Sequence, residues 1–173
     1  MGYLDLIDTR TPGPRYDVTP LFANAAAFRA LAEDLARPFA AAGVDAVAGI
    51  DALGFILGTA VAWRLGTGLV AIRKAGKLPV PVLRQDFVDY TGQAKALELR
   101  PDVIRAGGRY LIVDEWIETG AQVEAAAALL ERAGGQVAGL AAINMDDSPR
   151  AAALRARYLC HTVWEEPPHE TSA

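Results

Sequence analysis

Apolar residues fall into two rhythms along this chain. Phe28, Leu31, Leu35 and Phe39 recur at helical spacing and predict a helix over 25–42. Asn24 stands just before it, where its side chain can accept from a free backbone N–H. Pro38 is expected to kink or end this helix early. The apolar run 44–50 then reads as a buried strand, 51–54 as the loop at its end, and 55–65 as a helix stopped by Gly66. A short strand follows at 68–72. The stretch 82–92 shows no clear period, whereas 95–99 alternates like a strand. Tyr110-Leu111-Ile112-Val113 is a further apolar strand, and an alanine-rich helix runs from Val123 to Arg132. Gly134-Gly135 breaks the chain before a strand at 136–144, a helix at 148–157 and a last strand at 158–164.

The resulting order is βαβ, a two-stranded excursion, and βαβ again. It predicts an α/β fold with an open, mainly parallel sheet flanked by helices. No repeat or linker marks a second domain, so residues 1–173 are expected to form a single domain. The segment 11–14 reads as a turn, and 165–173 as a loose polar tail.

Composition narrows the function classes. Slightly over half of the residues are hydrophobic, which suits a folded globule. A formal charge of −4 speaks against a nucleic-acid polymer as partner but leaves room for a small phosphorylated ligand held by a local basic cluster. The single cysteine, Cys160, permits no internal disulfide and fits a cytoplasmic protein; it reads as a small buried hydrophobe. The start of the chain lacks the pattern of a signal peptide. The longest apolar-rich stretch, 44–57, is interrupted by Asp45 and Asp51, so no membrane partner is expected. His161 and His169 show no catalytic partner spacing.

Candidate chemistry concentrates in 110–122. An apolar strand feeds Asp114 and Glu115 into Glu118-Thr119-Gly120-Ala121-Gln122, after which a helix begins. Loops at the carboxyl ends of parallel strands are where such sheets bind ligands. A Thr-Gly turn at a helix start offers backbone N–H groups to an anion. Two more strand-end loops, 51–54 and 73–77, are expected on the same edge. Together the three offer Arg73, Lys74 and Lys77 as cations and Asp114, Glu115 and Glu118 as acids. The combination suits a ligand with phosphate groups at two ends and a polyhydroxylated middle. Trp116 reads as packing or a subunit contact.

From Pro12 to about Trp164 the sequence resembles the type I phosphoribosyltransferases, with the adenine branch as the nearest match. The resemblance rests on Pro12-Gly13, 17–20 (Asp-Val-Thr-Pro), 27–30, 44–58, 72–79 and the 110–122 motif, at matching intervals. It implies a small N-terminal hood (1–22), a mobile loop over about 75–97, and transfer of a 5-phosphoribosyl group from phosphoribosyl pyrophosphate to a purine base, with magnesium as cofactor and a homodimer as the usual assembly. By resemblance, Glu118, Thr119, Gly120, Ala121 and Gln122 cradle the 5′-phosphate. Asp114 and Glu115 take the ribose hydroxyls, in part through the metal. Asp51, Ala52, Leu53, Arg73, Lys74 and Lys77 hold pyrophosphate, and Tyr16, Leu53 and Ile117 border the base. Asp89 and Glu118 are the candidate proton carriers.

The chain departs from the adenine pattern at five places. The interval from Pro12-Gly13 to Asp17 is one residue short, which alters the expected base hood near Tyr16. Leu53 replaces an arginine that helps hold the purine. Glu118 replaces a small residue. Ala121-Gln122 replaces Gly followed by Thr or Ser, with the Gln amide as a substitute donor to phosphate. The acid pair is Asp-Glu rather than Asp-Asp. Two rival readings stand beside transfer to a purine: a regulatory protein that binds phosphoribosyl pyrophosphate or a nucleotide without turnover, and an enzyme of specialised metabolism acting on another ribosyl compound.

Overall fold

A computed structural model describes residues 2–12 and 16–164. Part of the turn expected at 11–14, and all of the tail expected at 165–173, lie outside these residues. In chain order the elements are helices α1 (Thr19–Ala23) and α2 (Ala25–Ala36), strand β1 (Ala46–Ile50), helix α3 (Leu53–Leu65) and strand β2 (Gly68–Lys74). Strands β3 (Leu83–Val88), β4 (Ala94–Leu99), β5 (Arg109–Val113) and β6 (Trp116–Ile117) follow. The chain continues through helix α4 (Ala121–Arg132), strands β7 (Gln136–Ala142) and β8 (Asn144–Met145), helix α5 (Pro149–Arg157) and strand β9 (Cys160–Thr162).

Local chemistry accounts for several boundaries. The Asn24 side chain accepts from the backbone N–H of Ala26 and Ala27 at 3.1 and 3.0 Å, satisfying two donors that α2 cannot pair internally. This helix ends at Ala36 rather than running to 42. Pro38 cannot supply the next helical N–H, and the chain tightens into a 3-10 turn over Arg37–Phe39. Gly66 closes α3 at φ 68°, a left-handed conformation that glycine adopts without steric cost. Ser148 caps α5 by accepting from the Ala151 N–H.

The main sheet runs in the order β3-β4-β2-β1-β5-β7-β9. Strands β2, β1, β5, β7 and β9 are mutually parallel, and the β3–β4 hairpin joins antiparallel at the β2 edge. Successive side chains on each inner strand point to opposite faces, so two cores form. Ala48, Ile50, Tyr110 and Ile112 pack under α4, with its Val123, Ala126, Leu129 and Leu130. Val47, Leu111 and Val113 pack under α2 and α3, with Leu31, Leu35, Leu57 and Val61. Each fully buried leucine or valine contributes about 1.5–3 kcal/mol relative to exposure.

Two differences from the sequence expectation bear on the site. The stretch 82–92 contains a complete strand, β3, and most of the segment expected as a mobile loop over 75–97 is an antiparallel hairpin. Its alternation is real, with Leu83, Gln85 and Phe87 half-buried and Arg84, Asp86 and Val88 exposed, but an inward Gln masks it. Arg132 of α4 ties the hairpin down by donating to the Arg84 carbonyl and the Gln85 side chain. The second difference is a two-stranded parallel ribbon, β6–β8, standing beyond the end of β5 where a plain loop is expected.

Candidate active site

The chain leaves β1 through α3 to reach β2 on one side, while β5 pairs with β1 on the other. The strand order reverses there, and that is where open parallel sheets leave a crevice beyond their carboxyl ends. A cleft of about 750 Å³ opens at this point, lined from four directions. The end of β1 supplies Asp51, Ala52 and Leu53; β2 supplies Lys74. The hairpin brings Arg84, Asp89 and Lys95, and the β5–α4 connection brings Asp114, Glu115, Ile117, Glu118, Thr119, Gly120 and Gln122.

The floor depends on close backbone approach. A Cβ on Gly49 would lie 2.6 Å from the Gly54 carbonyl oxygen, and a Cβ on Gly54 would lie 2.7 Å from the Val113 carbonyl oxygen. Glycines thus bring β1, the first turn of α3 and the end of β5 together. Gly120, at φ 80°, turns the chain into α4, whose first-turn residues Gln122 and Val123 line the cleft. Ser148 donates to the Thr119 carbonyl at 3.1 Å and fixes this loop from behind.

Asp114 is buried, with 2% of its surface exposed. One carboxyl oxygen accepts from the Glu115 N–H at 3.0 Å, and the other from the Gln122 amide at 2.9 Å. Burial pushes its carboxyl well above the ordinary aspartate range and the adjoining Glu115 carboxyl adds to this, while the Glu115 N–H and the Gln122 amide pull the other way. Glu115 and Glu118 are only half-buried and line the cleft. The Gln122 amide, expected to face a phosphate, is directed to Asp114 instead.

The cations are arranged differently from the expectation. Lys74 lines the cleft; Arg73 and Lys77 do not. The Arg73 guanidinium pairs with Asp51 at 3.6 Å and donates to the Lys77 carbonyl at 3.3 Å, so it braces the 73–77 loop. Arg84 and Lys95, which the sequence reading passed over, line the cleft in their place. The alternation of 83–88 places Arg84 on the exposed face of its strand, but the inward Gln85 hides that period in the sequence.

Glu98 was also missed. It is buried on β4 with 4% of its surface exposed. Its carboxylate accepts from three successive backbone N–H groups, of Gly76, Lys77 and Leu78, at 2.8, 2.6 and 2.5 Å. Burial acts to raise its pKa, but the N–H groups of Gly76, Leu78 and Lys77 and the Arg73 charge outweigh it, leaving the group below its ordinary 4.5. An internal carboxylate thus holds the loop that follows Lys74.

Asp89 caps the hairpin turn. Its carboxylate accepts from the Thr91 hydroxyl and N–H and from the Gln93 N–H. These bonds, the Thr91 hydroxyl foremost, hold it below the ordinary range, with Lys95 at 4.0 Å adding to them. Ile117 lines the main cleft while nearly buried; Ala121 is buried and does not line it. Tyr16 borders a second, smaller cavity of about 250 Å³ together with Thr11, Asp17, Val18, Leu53, Glu115 and Trp116. There the Tyr16 ring meets Trp116 and Trp164 edge-on at 5.7 and 5.5 Å, and the Trp116 indole N–H donates to Asp146. Leu53, Glu115 and Trp116 belong to both cavities and join them. Among the described residues no group of three or more His, Cys, Asp or Glu side chains is placed to hold a metal ion.

Comparison with known proteins agrees with this architecture. A family profile described as a phosphoribosyl transferase domain matches residues 18–165. The chain is 47% identical over 143 residues to the adenine phosphoribosyltransferase of Kineococcus radiotolerans, covering 82% of this chain and 77% of that relative. Among solved structures, the adenine phosphoribosyltransferase of Rhodothermus marinus superposes with a TM-score of 0.83 at 35% identity, covering 92% of this chain and 94% of that one. The Giardia lamblia enzyme complexed with 9-deazaadenine superposes with a TM-score of 0.81 at 26% identity, covering 92% and 96%. The chain belongs to the phosphoribosyltransferase family, whose members are pentosyl-transferring enzymes.

Proposed function

We propose that this protein transfers the 5-phosphoribosyl group of phosphoribosyl pyrophosphate to adenine, releasing pyrophosphate and forming the nucleotide. The observation that carries this reading is the meeting, at one reversal of strand order, of the α4 N-terminus, half-buried acids and three cations. Departure of pyrophosphate leaves positive character on the sugar. The residues present divide that work. The loop 118–122 and the first turn of α4 take the 5′-phosphate. Lys74, Arg84 and Lys95 balance the charge of the leaving group. Glu115 accepts from the ribose hydroxyls. Leu53, Tyr16 and Ile117 border the base, and Glu118 is the proton carrier beside it. Asp89 orders the hairpin beside the cleft through one carboxyl oxygen, which accepts from Thr91 and Gln93, and its other oxygen keeps it a candidate proton carrier.

Magnesium fits this site as an ion carried in on the substrate. Mg²⁺ is commonly held by one or two carboxylates plus phosphates rather than by an all-protein cage, and Glu115 is a half-buried carboxylate lining the cleft that would hold it. When bound it would add positive charge beside the departing pyrophosphate. Asp114, expected as its partner in that role, has both oxygens engaged.

The test of base identity is incubation with magnesium, phosphoribosyl pyrophosphate and a panel of purines and pyrimidines. Adenine is expected to be converted fastest; turnover of another base alone would replace adenine in this reading. Clear calorimetric binding of phosphoribosyl pyrophosphate with no product from any base would leave the regulatory reading.

We also propose a homodimer and a cytoplasmic location, the latter on the single-cysteine composition. No helix among the described residues is long and apolar enough to cross a membrane. Helix α3 leaves Ile56 43% and Trp63 88% exposed, one turn-pair apart on the same face, as a subunit contact would require. Sedimentation is expected to give the mass of two chains, and Trp63→Ser to shift it toward one. A wild-type monomer at assay concentration would contradict this.

A further inference from the structure

Strands β3 and β4 face each other through six residue pairs, from Leu83–Leu99 to Val88–Ala94. The hairpin they form reaches the rest of the sheet through two, Arg73–Glu98 and Lys74–Leu97, with one further bond from the Ala75 N–H to the Ala96 carbonyl at 3.0 Å. Strand β3 is the outer edge. Yet this thinly joined hairpin supplies one wall of the cleft, with Arg84, Asp89, Tyr90 and Lys95. Its inward Leu83 and Phe87 rest on the core that α4 covers. Apolar contact of this kind is non-directional, so it does not by itself set where the hairpin sits along the helix.

The directional contact comes from Arg132, in the last turn of α4. One guanidinium nitrogen donates to the Arg84 carbonyl at 2.9 Å and to the Gln85 side-chain oxygen at 3.1 Å. The Gln85 amide is oriented for this: its own nitrogen donates to the Asp86 carbonyl at 3.2 Å, which leaves its oxygen to Arg132. A cation at a helix C-terminus is also favoured by the helix dipole. The first turn of the same helix lines the cleft through Gln122 and Val123. One helix thus meets the cleft with its start and the hairpin wall with its end.

We propose that Arg132 is a positioning residue that fastens the β3–β4 hairpin to α4, so that the wall bearing Arg84 and Lys95 stays beside the pyrophosphate of the substrate and keeps water from the sugar. This deepens the transfer reading above and rests on it. Arg132 does not line the cleft and acts through the backbone of Arg84. When the wall loosens, water takes the place of the base: its oxygen bonds to the sugar C1, the bond from C1 to pyrophosphate breaks, and ribose 5-phosphate and pyrophosphate leave.

The test compares Arg132→Leu, Arg132→Lys and Gln85→Leu with wild type. It reads both KM values, the ribose 5-phosphate formed per nucleotide, and amide hydrogen exchange along the hairpin. Both bonds lie at the surface, so the effect is moderate: Arg132→Leu is expected to raise the KM for phosphoribosyl pyrophosphate, and the share lost to water, about fivefold each. The KM for adenine should stay within about twofold, and exchange should quicken over 84–95 but not in β5. Arg132→Lys keeps the charge and a donor and is expected to return to within about twofold of wild type. Gln85→Leu removes one acceptor and should move the same readouts less, and its effect should not add to that of Arg132→Leu. Faster exchange with unchanged KM and unchanged loss to water would reduce Arg132 to a structural contact and overturn the proposal. Unchanged exchange over the hairpin would overturn it too, as would additive effects of the two leucine variants. A wild type that makes no nucleotide from any base defeats the transfer reading separately. The fastening is then read on calorimetric affinity for phosphoribosyl pyrophosphate, where equal affinity in Arg132→Leu and wild type would overturn it.

Discussion

Glu98→Gln is expected to destabilise the protein by about 3 kcal/mol and to raise the KM for phosphoribosyl pyrophosphate. The carboxylate gathers three successive N–H groups at 2.5–2.8 Å inside the sheet edge. Hydrogen bonds to a charged acceptor contribute about 1.5–3 kcal/mol each before the cost of burying the charge. An amide of the same shape offers one accepting oxygen and turns an NH₂ group toward the remaining donors. The nearby Arg73 guanidinium loses one of its two negative neighbours as well and keeps Asp51. The loop that follows Lys74 then loosens, which is why a change outside the cleft is expected to weaken ligand binding.

The pH dependence of this effect has a definite sign. The folded-state pKa of Glu98 lies below its ordinary 4.5, so its stabilising contribution is fully present above that value. It is lost as the pH falls through the lower, folded-state pKa. Denaturant midpoints of wild type and Glu98→Gln should therefore differ by a constant amount near neutrality and converge only below about pH 4.5. A gap that widens on acidification would contradict the assignment.

Gly54→Ala is expected to cost about 1–3 kcal/mol, as overpacking does, and to abolish most turnover. The added carbon would sit 2.7 Å from the Val113 carbonyl oxygen and 3.0 Å from an Asp114 oxygen, and the first of these is backbone. Relief requires α3 to move off the end of β5, which displaces Asp114 and the acid beside it. Gly66→Ala is the matched control. Its left-handed φ of 68° makes alanine strained, but no atom lies within 4 Å of the added carbon. It is expected to cost about 1 kcal/mol with kcat unchanged. Equal kcat values for the two variants would show that crowding at the cleft floor does not matter.

Much of this arrangement was legible in the chain. The runs that became β1 and β5 are apolar on both faces because each strand is covered on both, and they stand out for that reason. Asn24, Gly66 and Ser148 punctuate helices by chemistry confined to a few neighbouring residues. The strand-end loops follow from parallel connectivity, and the structure brings 51–53, Lys74 and 114–122 to one cleft.

What escaped depends on partners distant in sequence. β3 alternates, but an inward Gln85 hides its period until α4 supplies Arg132 as its partner. Arg73 and Lys77 have the composition of an anion site, yet the β4 residue Glu98 claims their loop. Asp89 gives one oxygen to its own turn, at Thr91 and Gln93, while the other lies 4.0 Å from the Lys95 ammonium beside the cleft. The direction of the Gln122 amide is set by a carboxylate eight residues earlier, on another element. Composition shows which groups are present; only the assembled edge shows which of them are already engaged.

Phosphorus NMR of the purified protein with magnesium, phosphoribosyl pyrophosphate and adenine tests the central claim most directly. The account predicts that the substrate resonances are replaced by those of pyrophosphate and of adenosine monophosphate in equal amounts, and only when adenine is present. Substrate that persists unchanged, or that gives pyrophosphate and ribose 5-phosphate whether or not adenine is added, would contradict it.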